Sequence, residues 1–457
     1  MVCVTIRSIN PVTEGINKEL EPMTAAQALE ACRAAKGASS GWRDMGLDAR
    51  VGRIKRLAAV LRERKHEMAR LATMEMGRVL KDAEVEIERC AALCDLYAAN
   101  AHRWLDDEPV ETEFSKSVIA FEPIGVVLAI MPWNFPYSQV LRCAVPALTV
   151  GNAVVLRHSN NVPMCAMAIE DAFKGAGFPE NVFRTIITDR AAVAKLIRSR
   201  FVDGVSFTGS TDAGREIAKL AAKSIKRCVL ELGGSNPFIV LPDADMDAAA
   251  KGAVDTRMPS CGQSCSASKR FIAVGDVADE FTRRVIERTR SLVVGDPMDS
   301  RTQIGPLANR QQLETIESQV REAVAKGATV ECGGERLGDK GYFYKPTVLT
   351  GVKKNMRVMK EEVFGPVIPI MVVKNEKEAI KLANDTEFGL GGSVWTRDLR
   401  RGEAIARQIE AGVAGVNRGA SSDNRLPFGG VKKSGIGREF SRYGMLEFAN
   451  VKTIIVA

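Results

Sequence analysis

Residues 202–232 read VDGVSFTGSTDAGREIAKLAAKSIKRCVLEL: a short apolar run to Phe207, a turn of glycine and small hydroxyl residues, a stretch with helical periodicity, and a second apolar run ending at Leu232. This is the pattern of one strand–helix–strand unit, with Gly209, Ser210 and Gly214 at the junction where the helix starts. Amides at a helix N-terminus can hold a pyrophosphate, and small residues let it approach closely. Upstream, GVVLAIM from Gly125, NAVVLR from Asn152 and NVFRTII from Asn181 read as buried strands, with the helical patterns SQVLRCAVPALTV and PMCAMAIEDAFKGAG among them. Five such strands alternating with helices predict a parallel, doubly wound sheet up to about residue 232. Downstream, NPFIVL, KRFIAV, ATVEC, VIPIMVV, GGSVWT and GVAGVN repeat the alternation, so a second α/β domain follows. Ahead of both lies a helical preface: a capped helix from Thr24, a long amphipathic helix ending near Gly77, and a third through residues 82–101.

A chain of 457 residues with 46% hydrophobic content exceeds what one core usually supports, and no long linker divides it. The domains must be interleaved or tightly joined. The net charge of +8 comes from dispersed Lys and Arg, balanced locally in segments such as RRVIERTR, and aromatics are only 6%. That argues against nucleic-acid binding, which wants a clustered basic stripe with aromatics. No run approaches 18 apolar residues and the N-terminal stretch lacks a signal-peptide core, so a cytoplasmic protein with no membrane partner is expected. Ten cysteines, among them Cys3, Cys90, Cys94 and Cys261, show no paired metal-ligand spacing, and no metal is expected.

One cysteine stands apart. Cys265, in CGQSCSASKRF (261–271), has a glycine-containing loop before it and small residues after it, as an exposed thiolate nucleophile needs. Glu231 ends the apolar run CVLEL and opens ELGG, placing a carboxylate at a strand end. Together they suggest covalent catalysis on a carbonyl, with a carboxylate base for the second half-reaction. A disulfide between Cys261 and Cys265 would require their Cα atoms to lie within about 7 Å.

With these motifs in hand, the chain resembles the aldehyde dehydrogenase superfamily nearly end to end. GQSC and ELGG are joined, in the family's order, by INPVTE from Ile9, MPWNFP from Met131, FTGSTDAG from Phe207, EEVFGPV from Glu361 and PFGGVKKSGIGRE from Pro427. The resemblance implies a Rossmann-like dinucleotide-binding domain (1–105 and 123–232), a second α/β catalytic domain (233–434), and a small β oligomerisation arm (106–122 and 435–457) of a homodimer or homotetramer. It implies Cys265 as nucleophile, Glu231 as general base and Asn134 as oxyanion donor. Trp133, Gly209 and Ser210 would touch the cofactor, Glu362 its nicotinamide-side ribose, and Phe364 would pack near the ring. Arg157 stands where the family usually has Lys, at the adenosine ribose. Asn160, three residues on, carries no charge to repel a 2′-phosphate, so NADP is favoured over NAD.

Within the family the likeness is greatest to succinate-semialdehyde dehydrogenases, which place an Arg at the position of Arg142 to bind a distal carboxylate, a pairing that suits the planar guanidinium. They also carry an Arg six residues before the nucleophile; here that place is Pro259, and Arg257 lies two residues earlier. The expected reaction is oxidation of an aldehyde to an acid through a cysteine thiohemiacetal and thioester. Alternatives are lactaldehyde, glutarate-semialdehyde or broad aliphatic aldehyde oxidation, a hydrolytic thiol esterase, and a catalytically silent dinucleotide-binding relative.

Overall fold

The computed structural model describes residues 5–457, so Cys3 lies outside the described residues. Thr24 caps the first helix, Ala25–Asp44: its hydroxyl accepts from Gln27 N while the Gln27 side chain reaches back to Thr24 N. The single helix expected up to Gly77 is two, Leu47–Glu63 and Lys65–Met76, interrupted at Arg64. Neither Gly nor Pro marks that break, and the apolar spacing runs through it, which is why it was invisible in the pattern. Gly77 ends the second helix at φ 75°, where a Cβ would meet Pro306 at 2.6 Å.

The first sheet has six strands in the order Gly435–Ile436, Arg227–Glu231, Gly204–Thr208, Val126–Met131, Ala153–His158, Phe183–Thr185. Five run parallel; only Gly435–Ile436 is antiparallel. Val126–Met131 and Gly204–Thr208 are buried throughout, as strands covered on both faces must be. The second sheet has seven strands, in the order Thr329–Cys332, Thr347–Thr350, Val367–Val373, Ser268–Val274, Asn236–Val240, Gly391–Trp395, Val413–Val416. All its pairings are parallel except the outermost, Thr329–Cys332 with Thr347–Thr350. No helix among the described residues is long and apolar enough to cross a membrane.

A third, small sheet joins Glu108–Pro109, Lys116–Pro123 and Ala449–Val456, all antiparallel. The two segments expected to form the arm therefore do pair with each other. The boundary drawn at 435 is corrected, because Gly435–Ile436 hydrogen-bonds beside Leu230–Glu231 in the first sheet. A two-residue strand in a glycine-rich run has no periodicity by which to be read.

Candidate active site

Three segments meet at Cys265: the turn before it, the ELGG loop and the MPWNFP turn. In the turn, Ser260, Cys261 and Gly262 all take left-handed backbone angles, at φ 54°, 56° and 71°. A Cβ at Gly262 would stand 2.3 Å from the Gly365 carbonyl oxygen, so only glycine fits. Ser260 and Cys261 store strain on the order of 1–3 kcal/mol each. The strain is held in place by hydrogen bonds: Arg78 Nη1 donates to Ser260 Oγ at 2.8 Å, Gln263 Nε2 to the Ser260 carbonyl at 3.0 Å, and Ala308 N to Gln263 Oε1 at 2.9 Å. This turn leaves Cys265 partly exposed at the edge of a cavity, a free thiol like the other eight described cysteines. Burial pushes its pKa up; the charges of Arg142 and Lys269 oppose that, and Glu362 and Glu231 add to it.

Glu231 ends its strand 1% exposed, and neither carboxylate oxygen has a hydrogen-bond partner among the described residues. Burial, reinforced by the nearby Glu439 carboxylate, holds its pKa well above the usual carboxylate range against the pull of Arg142 and Arg438. Gly429 fits against it: a Cβ there would lie 2.8 Å from Glu231 Oε1. A carboxyl whose proton affinity is raised by burial, and whose oxygens carry no hydrogen bond among the described residues, is suited to taking a proton from water.

Asn134 is buried, and its amide nitrogen donates to the Gln263 carbonyl at 3.1 Å, which ties the MPWNFP turn to the nucleophile loop. The second amide N–H has no acceptor among the described residues. His158 steadies the same turn. Ser159 N donates to His158 Nδ1 at 2.9 Å, so Nε2 carries the proton and donates to the Pro136 carbonyl at 2.8 Å. Burial pushes this imidazole down to about 4, which keeps it neutral at physiological pH. The sequence reading missed His158, because nothing in a strand-end His announces a turn on another segment.

The cavity beside Cys265 holds about 90 Å³ and is lined by Phe135, Gln139 and Phe428 together with Arg78, Arg89 and Arg142; Glu86 is the one acid on its wall. Arg78 stands 3.4 Å from Glu86 and lies over the Phe135 ring. Arg142, expected at this cavity, is brought there. Its Nε is ion-paired with Glu439 and its Nη2 donates to Thr208 Oγ1 at 3.3 Å, while Nη1 has no acceptor among the described residues. Arg89 makes no ion pair among the described residues. The expectation for Arg257 is corrected: its guanidinium is fully buried and donates to the carbonyls of Val363, Gly365 and Val367, away from the cavity. It is a strut under the EEVFGPV turn, and with no carboxylate bonded to it, burial pulls it down to about 9.

At the C-terminal ends of the first-sheet strands lies a cleft of about 1080 Å³, where doubly wound sheets bind ligands. Trp133, Arg157, Gly209 and Ser210 line it. Ser210 caps the helix Thr211–Lys223, and a Cβ on Gly209 would strike the Phe207 ring at 2.5 Å, so glycine is what lets the turn pack against that ring at the helix N-terminus. Arg157 Nη2 donates to Asn160 Oδ1 at 3.0 Å and to the Thr188 carbonyl at 3.2 Å. That bond orients the Asn160 amide, whose NH₂ has no acceptor among the described residues. Arg190, unremarked in the sequence, also lines the cleft and is close enough to Arg157 to add to the burial that pushes its pKa down. Of the other two arginines on the wall, Arg7 is paired with Glu19 and Arg310 with Glu14. Glu362 Oε1 accepts from Gly234 N at 3.1 Å and Lys269 Nζ at 2.6 Å, and Phe364 meets Trp133 edge to face, centroids 5.7 Å apart. Volume, helix terminus and unpaired cations together fit a dinucleotide.

Residues 3–454 match the profile of the aldehyde dehydrogenase family. A protein of Synechocystis sp., named a probable succinate-semialdehyde dehydrogenase (NADP(+)), is 47% identical over 404 residues, covering 88% of this chain and 89% of its own. The succinate semialdehyde dehydrogenase (NAD(P)+) of Escherichia coli is 41% identical over 98% of this chain and 97% of its own. Among solved structures, the Streptococcus pyogenes succinic semialdehyde dehydrogenase in complex with NADP+ superposes with a TM-score of 0.96 at 34% identity, covering 99% of both chains. The chain belongs to the aldehyde dehydrogenase family.

Proposed function

We propose that this enzyme oxidises an aldehyde bearing a distal carboxylate, succinate semialdehyde first among candidates, to the acid with NADP. The observation that carries the substrate class is the wall of the Cys265 cavity, where Arg78 is paired with Glu86 and Arg142 with Glu439, while Arg89 has no ion pair among the described residues, leaving a net positive charge. Such a wall favours an anion. Arg142 is the nearest fit for the distal carboxylate, since it retains free donors beside the thiol.

In this reading Cys265 Sγ, as thiolate, adds to the aldehyde carbon. The oxygen that becomes negative is held by the free N–H of Asn134 and the backbone N–H of Cys265, a pair worth a few kcal/mol in the transition state. Gly209 and Ser210 would hold the dinucleotide at its phosphates, Glu362 at its nicotinamide-side ribose and Trp133 and Phe364 near its ring, and the group would supply the hydride acceptor. After the oxidation the acyl group remains on Cys265 as a thioester. Glu231 then takes a proton from water as that water attacks the thioester carbon, and the acid leaves with the thiolate restored. The family relationship and the intact Cys265, Glu231 and Asn134 set argue against a catalytically silent relative. A purely hydrolytic esterase would turn over without dinucleotide.

NADP is favoured because Arg157 and Arg190 put two cations on the cleft wall at the expected adenosine end, and Asn160, bonded to Arg157, puts no acid beside them. The test is kcat/KM on succinate semialdehyde, glutarate semialdehyde, lactaldehyde and butanal with each dinucleotide, for the parent and for Asn160→Glu. Succinate semialdehyde with NADP is expected to lead, and Asn160→Glu to reverse the cofactor preference by at least about tenfold, the effect of one charge contact. A strong NAD preference that Asn160→Glu leaves unchanged would sink the cofactor assignment.

The partner proposed for the small sheet is a second copy of the chain. Its outer strand, Ala449–Val456, is a sheet edge with Val451, Ile454, Ile455 and Val456 all exposed. Such an edge invites pairing or aggregation unless covered. Light scattering is expected to give a dimer or larger, and deletion of residues 449–457 to lower that state; a monomeric parent protein contradicts the proposal.

A further inference from the structure

Lys269 stands four residues after Cys265, inside the buried strand Ser268–Val274, with its side chain fully enclosed. A buried ammonium is costly unless its donors are met. Here all three are met: the Gly234 carbonyl lies 2.6 Å from Nζ, the Cys265 carbonyl 2.9 Å and Glu362 Oε1 2.6 Å. The acceptors belong to the loop that follows Glu231, to the backbone of the nucleophile, and to the turn carrying Glu362 and Phe364. The Phe364 ring itself lies 5.7 Å from Nζ. No other side chain among the described residues bonds all three segments.

We infer that Lys269 is a positioning residue which fixes the Cys265 loop, the Glu231–Gly234 segment and Glu362 in one frame, and that its pairing with Glu362 sets how much positive charge the thiol feels. The inference rests on the proposed roles of Cys265 and Glu362. Lys269 faces Glu362, Cys265 and, farther off, Arg257; Cys265 faces Arg142, Lys269, Glu362 and Glu231. Within that set Lys269 favours the thiolate and Glu362 disfavours it. Removing either partner therefore moves the thiol in opposite directions, a sign difference that loss of packing alone cannot produce.

Lys269→Met keeps the length and removes the charge. The Cys265 carbonyl retains a bond from Asn236 Nδ2 at 3.0 Å, so the loop stays tethered. The measurement is the pH dependence of iodoacetamide alkylation in dinucleotide-free protein, taken as the difference from a Cys265→Ser background. Lys269→Met is expected to raise the midpoint, and Glu362→Gln to lower it, each by about one pH unit as expected for a charge at this range. An unmoved midpoint in Lys269→Met, or a shift of the same sign in both variants, overturns the inference. If Lys269→Met yields no folded protein, Glu362→Gln decides: a lowered midpoint supports the pairing, and an unmoved or raised one overturns it. Alkylation of Cys265→Ser at the parent rate and profile would instead remove Cys265 from the nucleophile role, a failure of the proposed function.

Discussion

Replacing Cys265 with Ser is expected to abolish reduced-dinucleotide formation, while Glu231→Gln is expected to leave one rapid turnover per site followed by a slow steady state. The two variants separate the halves of the reaction. A serine hydroxyl in this turn has no base bonded to it and stays protonated, so the first covalent bond does not form. The amide of Glu231→Gln would keep the shape of the buried carboxyl but could not take a proton from water, and loss of a general base typically costs 10²–10⁴-fold, roughly, in the step it serves. The thioester should then accumulate as a burst in absorbance of the reduced dinucleotide. Because burial holds Glu231 above the usual carboxylate range, its basic form appears only as pH rises. The parent steady-state rate should climb with pH, and the slow phase of Glu231→Gln should lose that dependence. Undiminished turnover in Cys265→Ser would remove the thiol from the mechanism.

Arg142→Ala is expected to lower kcat/KM on succinate semialdehyde about ten- to more than a hundred-fold, the loss of one charge-assisted contact of roughly 1.5–3 kcal/mol. Butanal, with no distal carboxylate, should change little. The structure adds a condition to this comparison, because Arg142 also neutralises the buried Glu439. Leaving that carboxylate unpaired destabilises the protein, so thermal midpoints should be recorded beside the rates. An equal loss on both aldehydes would assign Arg142 to the fold. A selective loss in Arg89→Ala instead would move the anion contact to the unpaired guanidinium on the same cavity wall.

Much of this site lies in local chemistry and was readable as such. Cys265, Glu231 and Asn134 sit in short motifs whose residue types carry their meaning, and Gly209 and Ser210 stand at a strand-to-helix turn. Arg257 and Arg142 show where such reading stops. Both are arginines near the expected position, yet one is surrounded by backbone carbonyls and the other reaches the cavity. Spacing along the chain gives no information on which acceptors a folded guanidinium will meet.

Apolar periodicity and glycine-bearing turns act over a few residues, so both alternations of strand and helix, the capped helix at Thr24 and the strand end bearing Glu231 were legible in the sequence. Folding settles what depends on segments far apart in the chain. It placed Gly435–Ile436 beside the Glu231 strand, broke the long helix at Arg64, set His158 under the MPWNFP turn, and closed Lys269 onto three loops at once. The reason is physical. A buried polar group must find its partner wherever packing brings one, and that partner is chosen by the assembled fold rather than by its neighbours in sequence.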